Sequence, residues 1–144
     1  MKPSPELVLN QAFAKIAMEM GPALPAGYGQ GTATITGVLL LMVGQEFNRA
    51  AAIRLAENKA MRALFADCNA KVAGALSQKL RAASVGQDED LTVAALDKSN
   101  GELKTHLIAL HQAAEASSDK ALELRVLKMM QGWADARQIF LPAM

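Results

Sequence analysis

The chain has 144 residues, of which 51% are hydrophobic, 20% charged and 4% aromatic, and its formal net charge is +1. That length suits a single helical domain, 1–144, able to bury most of its apolar surface, so a disordered, solvated chain is excluded. Near-neutrality gives no global attraction to nucleic acid or an anionic membrane, and a core of Ala, Leu, Val, Ile and Met favours helices over sheets.

Ser4 and Pro5 read as an N-cap and first helical residue, with Glu6 favourable in the first turn. Leu9, Phe13, Ile16 and Met20 then recur on one helical face, and Gly21-Pro22 is expected to stop the helix. The N-terminal stretch has charges or prolines too closely spaced for a signal-peptide core, so a cytoplasmic location is the default expectation. A linker containing Pro25, Gly27 and Gly29 is expected to run through Gln30.

Between Glu19 and Glu46 no residue is charged. A membrane span fails on length, because Ala33 to Val43 would cover roughly 17 Å of a ~30 Å hydrocarbon core. A strand over "TATITGV" lacks a partner strand to satisfy its backbone. The segment is therefore expected to be an α-helix enclosed on every side. Gly37 and Gly44, seven apart on one face, would admit another helix closely, with a second subunit among the neighbours. The glycines before it also suggest an anion site. Tyr28, Gly29, Gly31 and Thr32 would present backbone N–H groups at a helix start, with Thr32 as N-cap. The G-x-G-x-G pattern is neither a dinucleotide fingerprint nor a P-loop, and a plain turn explains it as well.

From Thr32 to Ser84 there is no proline. A single helix over about 32–84 would be roughly 80 Å long, too long for a compact monomer of about 15 Å radius of gyration to cover. It must bend, break at Gly44 or near Asp67–Asn69, or belong to an oligomer. Glu46, Arg49, Arg54 and Glu57 lie within less than half the helix circumference, as an ion-pair network, the polar wall of an inter-helix pocket, or a solvated face. Cys68 shares an apolar stripe with Met61, Phe65, Val72 and Leu76, which points to a buried thiol rather than a nucleophile.

"VGQDED" reads as a loop and "DLTVAALDK" as a short helix, after which Ser99 and Glu102 have capping-box spacing. The helix they open carries Leu103, Leu107, Leu110 and Ala114 on its apolar face. His106 and His111 point about 140° apart and cannot share a metal, although Glu102 and His106 do share a face. Ser117 or Ser118 is expected to cap the last helix. There Leu122, Val126, Met129, Trp133, Ala136 and Phe140 repeat at four-three spacing up to Pro142. Residues 49–81 carry seven bases against two acids, and residues 88–123 eight acids against three lysines, so the two segments should face each other.

These elements predict an all-α fold, an antiparallel up-down bundle of four main helices, one of them unusually long or bent. The expected function is protein–protein association as a scaffold, adaptor or regulator rather than catalysis, with a homo-oligomer, most simply a dimer, as partner. No cofactor, metal, nucleic acid or membrane span is expected. The alternative is a small-molecule-binding or enzymatic bundle with its pocket near residues 27–32 and the Glu46/Arg49/Arg54/Glu57 cluster.

Overall fold

The computed structural model describes residues 2–141, and within them all regular structure is helical. The elements are α1 (Pro5–Phe13), a π-helical stretch (Ala14–Met20), α2 (Gly21–Ala23), α3 (Tyr28–Cys68), a 3-10 turn (Asn69–Lys71), α4 (Gly74–Ser84), α5 (Val93–Ser117) and α6 (Lys120–Ala136). They form two compact units, one of residues up to Ala50 with the segment from Ile139, the other Ala51–Gln138. α3 supplies its first part to one and its remainder to the other.

In the first unit Ser4 caps α1 as expected, its Oγ accepting from the Leu7 amide at 3.3 Å, with Pro5 opening the helix. Gly21-Pro22 does not end the helical path. The proline occupies the first turn of α2, and the chain turns extended only at Leu24. The antiparallel course against α3 follows from the glycines. Gly21 meets Ala33, Gly37 meets Ala17 and Gly44 meets Leu9 and Asn10. A Cβ on Gly37 would lie 2.6 Å from that of Ala17. The close helix approach read from Gly37 and Gly44 is thus made by the chain's own N-terminal helix. Gln45 fastens the C-terminal segment by accepting from Phe140 N at 3.0 Å and donating to Phe140 O at 2.7 Å.

α3 begins four residues earlier than the expected Thr32. Gly27, at φ 141°, makes the turn, and its carbonyl accepts from Gly31 N. Thr32 is therefore no cap; its hydroxyl donates back to Tyr28 O at 2.8 Å. Gly44 stays inside the helix, and the break comes at the other candidate position. Asn69 donates to the carbonyls of Phe65 and Ala66, ending α3, and Gly74, at φ 64°, allows the turn into α4. The expected helix over 32–84 is thus two helices. Its uncharged segment is helical but covered on one side only by the described residues: Leu41 is buried, whereas Ile35 is 63% exposed and Val43 55%.

The second unit is the up-down bundle. α3 from Ala51, α4, α5 and α6 surround Met61, Leu64, Phe65, Cys68, Leu80, Leu103, Leu107, Leu110, Ala114, Leu122 and Val126. The leucine face of α5 and the Met61–Phe65–Cys68 stripe lie in this core as read from their spacing. α5 is one helix, not two. Thr92 caps it, accepting from Ala95 N, and Ser99 lies a turn and a half inside. Asp119, rather than Ser117 or Ser118, caps α6, while Ser118 takes the left-handed turn at φ 56°. The α6 seam is real at Leu122 and Val126, with Met129 and Trp133 packed on the core. It stops there, because α6 ends at Ala136 and Phe140 lies beyond it, 65% exposed. Pro142 lies outside the described residues.

Ion pairs between the basic and acidic segments cross inside this unit, as Arg54–Asp97, Arg62–Asp88 and Lys71–Asp119. No helix among the described residues is long and apolar enough to cross a membrane.

Candidate functional site

Two features exceed what folding requires: a water-facing apolar face on α3 and a buried polar cluster in the second unit. On the part of α3 that packs against α1, the covered positions are Gly37, Leu41 and Gly44. At 100° per residue, Ile35, Leu39, Met42 and Val43 lie on the opposite side, and all four are exposed. Tyr28, Thr32, Ile35, Leu39, Met42 and Glu46 follow four-three spacing, the pattern of a helix-on-helix seam. No charge interrupts it before Glu46.

The residues expected to bind a ligand fall into separate places. Tyr28 is 92% exposed, and a Cβ on Gly31 would meet open space, as would one on Gly29 apart from the tip of Leu24. Residues 28–32 are thus the first turn of α3, directly after the bend at Gly27. Glu46 and Arg49 belong to the first unit, where Arg49 lines a hollow of about 290 Å³ with Glu6, Asn10, Gln45, Asn48 and Phe140. Arg54 and Glu57 belong to the second, with Arg54 paired to Asp97.

Glu57 is the centre of the polar cluster and is 2% exposed. Its Oε1 accepts from Arg137, through Nε at 2.8 Å and Nη2 at 2.7 Å. Its Oε2 accepts from Asn100 Nδ2 at 3.0 Å and faces Lys104 Nζ at 3.4 Å. Asn100 also donates to Asn58 Oδ1, and Asn58 donates to Asp88 Oδ1. Asp88 further accepts from Ser99 Oγ at 2.6 Å and from Arg62 Nη2 at 2.9 Å. Burial pushes the Asp88 carboxyl up, but the donated hydrogen bonds of Ser99 and Asn58 and the Arg62 guanidinium outweigh it and hold it below the usual carboxylate value. The cluster ties α3, the loop before α5, α5 itself and the residue after α6 in one register.

Asn58, Asn100, Lys104 and Arg137 escaped the sequence reading. Their signal was a polar residue on an apolar seam: Leu96, Asn100, Leu103, Leu107, Leu110 and Ala114 are spaced four, three, four, three, four. Starting the helix at Ser99 concealed it by placing Asn100 in a cap. Elsewhere Cys68 is buried, and burial raises its thiol pKa against the opposing Arg125 charge, which disfavours the thiolate. His106 packs edge-on against Phe65 at 6.4 Å, and His111 lines a separate groove.

No protein-family model, curated protein or solved structure matches this chain.

Proposed function

We propose that the protein acts by helix-on-helix association, the exposed face of α3 docking on the same face of a second copy to form a homodimer. The reading rests on one observation, the uncharged four-three stripe of Ile35, Leu39 and Met42, flanked by Val43, on the side of α3 that no other element among the described residues covers. Four or five large side chains about half exposed amount to roughly 500 Å² of apolar surface, at the top of what a monomer ordinarily leaves to water. Two such faces together bury roughly 1,000 Å², the threshold for a specific interface.

The charge pattern selects the antiparallel arrangement. Parallel copies would bring Glu46 against Glu46. Antiparallel copies crossing near Gly37 place each Glu46 beside the other's helix start at Tyr28, where the dipole favours a carboxylate. Such a dimer would present two four-helix units as a scaffold, adaptor or regulatory element, without catalysis. We place it in the cytoplasm, since one buried thiol and no possible internal disulfide suit a reducing compartment.

Sedimentation velocity over a range of micromolar concentrations tests this. The wild type should pass from monomer to dimer. The Ile35→Glu/Leu39→Glu variant should remain monomeric with unchanged far-UV circular dichroism, because both side chains are already exposed. A wild-type chain that stays monomeric throughout would refute the proposal.

A further inference from the structure

We infer that the groove between α5 and α6 is a binding site for an apolar carboxylate, such as a medium-chain fatty acid. The groove has a volume of about 500 Å³ and lies wholly within the second unit, lined on α5 by Lys104, Leu107, Ile108, His111 and Gln112 and on α6 by Val126, Met130 and Trp133. Its volume is in the range of small-molecule sites, and a bundle's inter-helix groove is a usual place for one. The α5 residues sit at i, i+3, i+4, i+7 and i+8. The track therefore runs about two turns, roughly 12 Å at 1.5 Å per residue, which matches an extended acyl chain rather than a compact metabolite.

Charge decides the head group. Among the described residues lining the groove, Lys104 is the one fully charged side chain. Its Nζ sits 5.5 Å from the centre of the Trp133 ring and 3.4 Å from Glu57 Oε2. That carboxylate is shared, because Arg137 already holds Oε1 at 2.7 Å. Two cations on one buried carboxylate leave a positive surplus at the end of an apolar track, and Lys104 is still 41% exposed. A ligand carboxylate at Lys104 would balance that surplus, while its chain would cover Leu107, Ile108 and Met130. A neutral amphiphile would gain only the second effect, and a cationic one would be repelled.

Trp133 is the single tryptophan and lines the groove, so its fluorescence reports occupancy directly. Titration with decanoate below its micelle concentration should give a saturable change. Decanol should bind about tenfold more weakly, the ordinary worth of a charge-assisted contact. Lys104→Gln should weaken decanoate to the level of decanol and leave decanol itself unaffected. Ile108→Glu, at a position 60% exposed and therefore harmless to folding, should abolish decanoate binding. Leu39→Glu should leave the titration unchanged, which separates this site from the α3 face. Absence of a saturable Trp133 response overturns the proposal, as does equal affinity for decanoate and decanol that Lys104→Gln does not alter.

Discussion

Replacing Gly37 and Gly31 by alanine, one at a time, turns a single chemical change into two opposite outcomes. Both residues lie in α3, so helix propensity favours alanine at each by up to about 1 kcal/mol. At Gly31 nothing lies within 4 Å of the added carbon. At Gly37 the methyl would fall 2.6 Å from Ala17 Cβ, 3.1 Å from Ala17 N and 3.3 Å from its Cα. Carbon atoms in good contact are about 3.5–4.0 Å apart, so the π-helical stretch must retreat by roughly 1 Å, and no flexible side chain can yield in its place. Overpacking of that kind costs about 1–3 kcal/mol, and backbone contacts put it at the upper end. After the propensity gain, Gly37→Ala should lose about 2 kcal/mol, while Gly31→Ala should gain roughly 0.5–1 kcal/mol. Urea unfolding followed by far-UV circular dichroism reads both on the same helix. A Gly37→Ala protein as stable as the wild type would refute the close packing of α1 and its π-helical extension on α3.

Four further outcomes follow, three of them from the second unit. Glu57→Ala should cost about 3 kcal/mol in urea unfolding read by Trp133, because it leaves Asn100, Lys104 and Arg137 without their shared acceptor. Lys15→Ala, which breaks the exposed pair with Glu19, should stay within about 0.5 kcal/mol. Acid should weaken the unit through Asp88. Its folded carboxyl titrates below the unfolded value, so its stabilisation is complete above the ordinary aspartate pKa of about 3.9 and is lost as pH falls through the lower folded value. Asp88→Asn should flatten that acid limb in denaturation curves measured at a series of pH values; an unchanged limb would show that Asp88 is not the group responsible. Cys68, the single cysteine, should react with a thiol reagent orders of magnitude faster in urea than in buffer, and equal rates would contradict its burial.

How far these residues could be read in advance depended on the range of the interactions that govern them. Ser4 with Pro5 started a helix where expected, and the periodic faces of α5 and α6 pointed inward, because capping and amphipathicity act within a turn or two of chain. The interruption at Asn69 was visible as one of two candidates, and Gly44 was the wrong one to weigh beside it. A glycine in a helix is a break only if nothing else needs its missing side chain, and Leu9 and Asn10 need that space. The glycine turn was misread for the opposite reason. Gly29 and Gly31 have no tertiary role to exempt them from the helix, yet one positive φ at Gly27 sufficed for the turn. Glu57 was grouped with Glu46, Arg49 and Arg54 after the apolar run, but its partners Asn100, Lys104 and Arg137 are 43, 47 and 80 positions away, beyond any local pattern.

Composition and spacing alone therefore settled that this chain is helical, where its first helix begins, and which stripes of Leu, Met and Phe seek a core. Each of those depends on backbone geometry and on side chains three or four residues apart. Which helix lies against Gly37, which side of α3 is left facing water, and how one carboxylate comes to hold two cations are decided only when distant segments meet. Steric exclusion and charge pairing act through space, and the order of residues along the chain carries no distance between them until the fold supplies it.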